Sequence, residues 1–294
     1  MTLLDDTGSA PVAQHTRRAR VRKHHDEGVV LDLRTHRLVP PRQPVNLFGL
    51  DVDPLSLTES VDRAEALIET RSPRHHVCIN AAKVVGMRND ERLAEVLANA
   101  DMVNVDGQSI VWASRLLRAK VPERVAGIDF MEALIARAAE RGWGVYFLGA
   151  TDAALEACVA HFQGRFPDLI VSGSHNGYWT DEEQADVFGE VAASGAQLVL
   201  VALPTPRKEY LVGDNLAAFG NALVVGVGGS FDVFGGLVSR APKWAQNWGL
   251  EWAHRLAQEP RRMWKRYLVG NSKFCYLVAR TWWQTRITRS GAVS

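Results

Sequence analysis

The sequence predicts an α/β fold in which helices cover both faces of a mostly parallel sheet. Six short apolar runs recur between residues 76 and 227, and stretches with helical periodicity separate nearly every pair of them. Several runs are followed directly by glycine or polar residues, a pattern typical of loops at the carboxyl ends of parallel strands. A third observation, a basic and Trp-rich segment from residue 240 onward, predicts a helical appendage after the sheet.

The composition fits an ordinary globular protein with one large or two modest domains. The chain has 294 residues, of which 47% are hydrophobic and 23% are charged. Its three cysteines lack metal-ligand spacing and favour a reduced, cytoplasmic protein over a disulfide scaffold. Residues 1–8 lack the apolar stretch of a signal peptide. Lys273 and Arg280 interrupt the most hydrophobic part of the C-terminal segment, so no membrane-spanning helix is expected.

The first ordered element is expected near Val45. Residues 1–43 are rich in Arg, His, Pro and Asp without sustained periodicity, and we expect them to form a mostly disordered leader. Ser56 and Glu59 then form a capping-box pattern, which predicts the start of a helix. The apolar positions that follow recur on one helical face at Leu57, Val61, Ala64 and Ile68.

The six apolar runs are predicted to be the strands of the sheet. They cover residues 76–79, 102–105, 145–148, 169–171, 198–202 and 223–227. Near-continuous apolar runs are typical of strands buried on both faces, as in parallel sheets. Together with the intervening helices they predict a Rossmann-like domain over residues 44–239.

Polar residues that follow the strands mark the expected site. They are Asn80, Asp106 with Gly107, Gly149, and the segments 204–209 and 228–232. In open α/β sheets ligands bind outside the carboxyl ends of the strands. We therefore expect these residues to surround a ligand.

Asp106 has two interpretations. A carboxylate at a strand end can accept a proton from a hydroxyl group and so act as a general base. The same residue, followed by Gly107 and a helical pattern, could cap that helix. The spacing alone does not separate the two.

The run Gly-Gly-Ser-Phe-Asp at residues 228–232 offers backbone amides of the kind that contact a diphosphate, although glycine-rich turns after strands are common.

Arg124 and the acids at positions 51 and 53 also have two interpretations each. The Arg124 guanidinium could neutralise a phosphate, or it could form an ion pair with Glu123 or Asp129. Asp51 and Asp53 imitate a metal-binding Asp-x-Asp motif, but the following Pro54 favours a turn. No other cluster has metal-ligand spacing, so we expect catalysis without a divalent ion and no bound metal.

The C-terminal segment, residues 240–294, is strongly cationic. It contains eleven Lys or Arg against two acids, Glu251 and Glu259, a formal charge of +9, and six of the nine tryptophans. Basic and aromatic side chains in this mixture suit an anionic interface, either the cytoplasmic leaflet of a membrane or a nucleic acid.

Several motifs, in the order in which they occur along the chain, resemble those of one bacterial enzyme family. They lie at residues 100–107, 123–129 (Glu-Arg-Val-Ala-Gly-Ile-Asp), 228–232, 240–244 (Arg-Ala-Pro-Lys-Trp) and 249–262, which begins Gly-Leu-Glu-Trp. Residues 80–274 thereby resemble the WecG/TagA/CpsF glycosyltransferases. That family adds a sugar to an undecaprenyl-diphosphate-linked acceptor during cell-surface polysaccharide synthesis.

The resemblance implies a role for each motif residue. Asp106 would be the general base for direct, inverting attack on the anomeric carbon, and Arg124 would steady the leaving diphosphate. The implied substrate-binding residues are Asn80, Gly107, Lys208, Glu209, Gly229, Ser230, Asp232, Arg255, Arg262 and Lys265. Of these, Asp232 would contact the nucleotide, and the last three cations would serve the active site and the membrane face.

The resemblance also implies the partners and the location of the protein. They are a UDP-sugar donor, a lipid-diphosphate-linked acceptor and an anionic membrane surface, with neither a metal nor a cofactor. The location would be cytoplasmic and peripheral, on the inner face of the plasma membrane. The resemblance leaves open whether the protein forms a homo-oligomer.

Two positions depart from the family pattern. Lys208 stands where many members have Gln, and a cation there could favour a more acidic donor such as a uronic acid, or could pair with Glu209. Cys78 stands where many members have Thr, which removes a hydroxyl group near the expected base.

Two other classes of protein are disfavoured. A nucleotide-dependent oxidoreductase should carry three spaced glycines after the first strand and an acid about twenty residues further on, and neither is present. A nucleic-acid-binding protein built on the C-terminal segment would not need Asp106 together with Arg124, so no nucleic-acid partner is expected.

Overall fold

The computed structural model describes residues 43–258 and 260–290, together with two short strands in the leader. The side chains of Asn247, of Arg255, of residues 260–269 and of residues 287–290 lie outside this description. The leader expected at residues 1–43 falls almost entirely outside it.

Ten strands and twelve α-helices lie within the described residues. The strands are β1 (Val30–Leu31), β2 (Leu38–Val39), β3 (Val45–Leu47), β4 (Leu50–Val52), β5 (Arg74–Ile79), β6 (Met102–Val105), β7 (Gly144–Gly149), β8 (Ile170–His175), β9 (Leu198–Ala202) and β10 (Leu223–Gly226).

The helices are α1 (Leu57–Glu69), α2 (Ala81–Gly86), α3 (Glu91–Asn99), α4 (Gln108–Leu116), α5 (Gly127–Arg141), α6 (Asp152–Arg165), α7 (Gln184–Ala193), α8 (Arg207–Asn215), α9 (Ser230–Phe234), α10 (Lys243–Asn247), α11 (Glu251–Gln258) and α12 (Pro260–Ser290). A 3₁₀ turn at Leu216–Phe219 follows α8.

Six of the strands form one parallel sheet in the order β6-β5-β10-β9-β7-β8. Helices α1, α5, α6 and α9 pack on one face, and α2, α3, α4, α7 and α8 pack on the other. Successive residues of β9 alternate between these faces, since Leu198 joins the first core and Val199 joins the second. The predicted α/β fold with helices on both faces is confirmed.

The strand predictions agree closely with the structure except at the sheet edge. The apolar run at residues 169–171 predicts a short strand, whereas β8 continues to His175. Ser172, Gly173 and Ser174 carry no apolar signal because β8 is an edge strand and is mostly half-buried. The glycine is required by packing, since a Cβ at Gly173 would lie 2.6 Å from the Tyr146 ring.

The capping box predicted at the start of α1 is confirmed. The Glu59 backbone N–H donates to Ser56 Oγ at 3.3 Å, and the Ser56 N–H donates to Glu59 Oε2 at 2.8 Å. A third donor at this terminus, the Leu57 N–H, binds Glu123 Oε1 at 2.6 Å. Glu123 therefore ties the loop before α5 to the start of α1.

Helix α12 packs against α2 and the β3-β4 hairpin. Its Phe274 is buried, and the Phe274 ring meets the Phe48 ring edge-on with centroids 5.5 Å apart. Leu277 and Val278 extend the same contact. Among the described helices, none is both long enough and apolar enough to cross a membrane.

Candidate active site

The carboxyl ends of β5 and β6 bring Asp106 beside Cys78 and Asn80. The Asp106 backbone N–H donates to the Ile79 carbonyl at 2.8 Å, which continues the ladder between the two strands. The start of α5 closes the cluster, because a Cβ built at Gly127 would lie 3.7 Å from both Asp106 Oδ2 and Cys78 Sγ. Gly127 therefore lies within van der Waals reach of both side chains.

Burial raises the pKa of Asp106 above its usual value. The positive charges of Arg124 and Lys83 and the Gly127 N–H, which donates to the carboxylate, oppose this rise, whereas the charge of Glu251 adds to it. A carboxylate that holds a proton more strongly than usual is a better general base.

The alternative that Asp106 caps α4 is not supported. The N-cap position of α4 is Gly107, and no side chain makes the capping hydrogen bond there. Asn80 has that function at the neighbouring strand end, where the Lys83 backbone N–H donates to Asn80 Oδ1 at 3.1 Å. Gly107 lies against Asn80, since its built Cβ would be 3.6 Å from Asn80 Cα.

A buried cluster of three charges lies beneath this site. Glu209 Oε1 binds Lys83 Nζ at 2.7 Å and Lys208 Nζ at 2.9 Å. Lys83 Nζ also donates to the Cys78 carbonyl at 2.6 Å, and Lys208 Nζ donates to Thr205 Oγ1 at 2.6 Å. We call Lys83, Lys208 and Glu209 the buried triad; it joins α2 to α8 across the ends of β5 and β10.

The charges of the buried triad depend on one another. Burial alone would raise the pKa of Glu209, but Lys83 and Lys208 outweigh it and hold that pKa at about 2. Burial and the neighbouring Lys83 lower the pKa of Lys208 to about 8, against the opposing effect of Glu209. Glu209 is only 1% exposed, and its Oε2 has no hydrogen-bond partner among the described residues.

Of the two interpretations of Lys208, the structure shows the ion pair with Glu209. The Lys208 stem lies against Gly226 at the end of β10, where a Cβ would come within 2.9 Å of Lys208 Cε. Gly226 therefore leaves the room that the buried lysine occupies.

Arg124 pairs with neither of the acids expected from the sequence. Glu123 caps α1, and Asp129 binds Arg240 through two bonds of 2.7 and 2.8 Å. Arg124 instead binds Glu251 of α11. Each alternative partner was wrong because it is engaged elsewhere, and the true partner lies far along the chain.

These contacts form a network between the start of α5 and the C-terminal segment. Glu251 accepts from Arg124 and lies 3.8 Å from Arg240 Nε, and Arg240 continues to Asp129. We call Arg124, Glu251, Arg240 and Asp129 the bridging network. Its side chains are 14–33% exposed, so water reaches all of them.

The glycine turn after β10 places Gly229 and Ser230 at the start of α9. Gly228 has φ +57°, a conformation that favours glycine. The Ser230 hydroxyl donates to the Val227 carbonyl at 2.7 Å, so it braces the turn. Asp232 is half-buried. Burial of Cys158 on α6, with a smaller contribution from the charge of Asp232, raises the pKa of that thiol to about 12.

The remaining predicted residues are three cations of the C-terminal segment and the two acids of the Asp-x-Asp motif. The side chains of Arg255, Arg262 and Lys265 lie outside the described residues. Asp51 Oδ1 accepts from Asn46 Nδ2 at 2.9 Å, whereas the buried Asp53 accepts from the Val103 N–H at 2.7 Å. Within the described part of the chain, no three His, Cys, Asp or Glu residues form a group that could hold a metal ion.

Two histidines on β5 are held neutral. Burial lowers the pKa of His75 to about 4 and that of His76 to about 3. His76 forms a buried chain with Asn104 at 2.8 Å, and Asn104 binds Ser60 at 2.8 Å. Asp106 is therefore a better candidate for the base than either ring.

Sequence reasoning missed Lys83 and the bridging partners of Arg124. Lys83 is a single lysine within a short helix, and no spacing singles it out. Glu251 did carry a signal, because it is one of two acids among eleven cations in the C-terminal segment. An isolated acid in such a segment indicates a specific partner.

The fold and this arrangement of polar groups at the strand ends are typical of α/β enzymes, in which ligands bind at the carboxyl edge of the sheet. A sequence model of the glycosyl transferase WecG/TagA/CpsF family matches residues 45–288. The chain therefore belongs to the WecG/TagA/CpsF family and is a glycosyltransferase of cell-surface polymer synthesis. The match extends beyond residues 80–274, on which the resemblance rested, and takes in the β3-β4 hairpin and most of α12.

Proposed function

We propose that the chain is an inverting glycosyltransferase that moves a sugar from a UDP-sugar to an undecaprenyl-diphosphate-linked acceptor. Asp106 carries this proposal. Its carboxylate accepts the proton of the acceptor hydroxyl while that oxygen bonds to the anomeric carbon. The bond from the anomeric carbon to the diphosphate oxygen breaks in the same step, and UDP leaves. The raised pKa of Asp106 and its place beside Asn80 support the role of base.

Arg124 stabilises the diphosphate as it leaves. Its guanidinium already binds an anionic group, the Glu251 carboxylate, and is only 14% exposed. An arginine in a partly desolvated position stabilises developing negative charge without a metal ion. A diphosphate would take the place that Glu251 holds.

The remaining substrate contacts come from two further regions. Gly229, Ser230 and Asp232 receive the nucleotide at the end of β10, and Arg255, Arg262 and Lys265 bring positive charge from the C-terminal segment. That segment, with its charge of +9 and six tryptophans, also holds the enzyme on the inner face of the plasma membrane. No metal and no cofactor takes part.

A screen of UDP-sugars against a short-chain polyprenyl-diphosphate acceptor, read by mass spectrometry, tests the reaction. Asp106→Asn should lower the rate with the accepted donor by about 10²- to 10⁴-fold, because an amide keeps the shape but cannot take the proton. UDP binding should persist. The control is Asp168→Asn, which changes an exposed acid just before the start of β8, at the opposite end of the strands. A rate for Asp106→Asn within about threefold of wild type would exclude Asp106 as the base.

The same assay in excess EDTA tests the absence of a metal. Turnover should continue, because cationic side chains neutralise the departing UDP. Loss of turnover that Mg²⁺ or Mn²⁺ restores would contradict this and return Asp51 and Asp53 to consideration as ligands.

A further inference from the structure

Helix α4 exposes two large apolar side chains on one face. Trp112 and Leu116 are four residues apart, so they are neighbours on the helix surface, and they are 54% and 50% exposed. The opposite face is buried in the core through Ile110, Val111 and Ala113. The two exposed side chains are therefore not required for the packing of α4.

Positive charge surrounds this apolar pair. Arg115, Arg118 and Lys120 are all exposed, and residues 108–121 contain no Asp or Glu. In the described part of the chain, none of the three forms an ion pair. Two large apolar side chains among uncompensated cations are typical of a surface that enters an anionic interface.

The C-terminal segment continues this surface. Gly249 passes so close to α4 that a Cβ there would lie 2.7 Å from Gln108 Cβ and 3.6 Å from the Trp112 ring. The preceding residue, Trp248, is next to this contact in the chain and is 72% exposed. We call Trp112, Leu116 and Trp248, with the cations at positions 115, 118 and 120, the α4 face.

The α4 face begins at the rim of the active site. Helix α4 starts two residues after Asp106, and from Gln108 to Leu116 it rises about 12 Å at 1.5 Å per residue. A surface on which the α4 face rests would therefore lie close to the proposed base.

We propose that the α4 face is a membrane-docking surface of the sheet domain, additional to the C-terminal segment, and that it rests on anionic lipid. The docking surface rests on the proposed function only for the purpose that we assign to it, which is to bring Asp106 to an acceptor anchored in the bilayer. A second copy of the chain fits the face poorly. Two-fold pairing would set the same three cations against each other, whereas anionic headgroups neutralise them.

The experiment places an environment-sensitive nitrobenzoxadiazole label on the α4 face of the full chain. Cys275 is the exposed native cysteine and is changed to Ser, while Cys78 and Cys158 are buried. Leu116→Cys is then labelled, and Ile170→Cys on β8, equally 50% exposed at the opposite edge of the sheet, is the matched control. The probe is a vesicle of phosphatidylglycerol and phosphatidylcholine in equal amounts.

The label at position 116 should brighten and shift to the blue on vesicles, and the label at position 170 should not. Unlabelled Trp112→Gln with Leu116→Gln should lower vesicle binding by about tenfold, because two large apolar side chains lose their burial in the interface. A label at 116 that stays aqueous would overturn the proposal, whether or not the chain binds vesicles. A response at 116 that needs no lipid and grows with protein concentration would also overturn it, in favour of self-association.

Transfer to a water-soluble acceptor separates this inference from the proposed function. The double variant should retain that reaction, because neither side chain belongs to the proposed machinery. If the label enters the bilayer but no sugar is transferred to either type of acceptor, the proposed reaction fails and the docking surface stands. Equal losses with soluble and vesicle-embedded acceptors would overturn the docking role.

Discussion

The buried triad and the bridging network both place opposite charges beside Asp106, but they differ in their surroundings. The triad of Lys83, Lys208 and Glu209 is sealed beneath the ends of β5 and β10. The bridging network lies between α5 and the C-terminal segment, where water reaches each side chain. One network belongs to the sheet, and the other fastens a distant part of the chain to it.

This difference in solvent access determines what each network can do. Removal of one partner from a buried pair leaves an uncompensated charge in a medium that solvates it poorly. A partly exposed pair can exchange its partner for water or for another anion at little cost. The triad is thus suited to hold the strand ends in place, and the bridging network is suited to release Arg124 to a diphosphate.

Glu209→Gln should produce the largest effect, a loss of about 3–5 kcal/mol in the free energy of unfolding, because Lys83 and Lys208 lose the buried carboxylate that both of them bind. Urea denaturation measures it. Glu95→Gln is the matched control, since Glu95 is exposed and the change should alter stability by no more than about 0.5 kcal/mol. Equal free energies of unfolding for the two variants would show that the buried triad does not stabilise the fold more than the bridging network does.

Arg124→Met should have the second largest effect. It should lower kcat/KM by about 10²- to 10³-fold, because the charge that stabilises the leaving group is lost. Its stability should fall by no more than about 1 kcal/mol, since the pair with Glu251 is partly exposed. Glu251→Gln is the control: it breaks the same pair but frees Arg124, so transfer should persist and UDP should bind more tightly. If both variants lost activity equally, the pair would be structural and Arg124 would not bind the diphosphate.

The acid limb of the pH profile should show the smallest effect. Transfer needs ionised Asp106, so the rate is lost as the pH falls through the pKa of that residue, which burial raises above the usual value of about 3.9. Glu251 adds to that rise, so Glu251→Gln should move the limb to lower pH. Lys83 opposes it, so Lys83→Met should move the limb to higher pH.

Each shift should amount to less than about one unit, since neither residue is the main cause of the raised pKa. Profiles of kcat/KM with a water-soluble acceptor measure both shifts and avoid effects of membrane binding. Shifts of the same sign in the two variants would contradict the opposite actions of the two networks.

The fold class was predictable because a strand buried on both faces has a composition that few other segments share. The runs at residues 102–105 and 198–202 coincide with β6 and β9. The order of strands was not predictable, because periodicity identifies a strand but not its neighbour. The position of β10 between β5 and β9 emerges only from packing.

The positions of candidate residues were predictable where they follow a strand, whereas their contacts were less predictable where the partner is remote in the chain. Asp106 and Asn80 were found because parallel strands end at one edge of the sheet. The partner of Arg124 lies 127 residues further on, and no local spacing relates the two residues. Lys83 was missed for the same reason, because its partner Glu209 also lies far along the chain.

The place of β10 also governs the order in which the sheet can be completed. Strands β6 and β5 form one part of the sheet, β9, β7 and β8 form the other, and β10 alone joins them. Because β10 is the last of the six to be synthesised, the facing edges of β5 and β9 remain open until then. Open strand edges invite pairing with other chains, and distant parallel pairing is slow. A nascent chain that stalls before Leu223 would therefore carry two unjoined parts of a sheet, and its binding to chaperones should end only after β10 has been released from the ribosome.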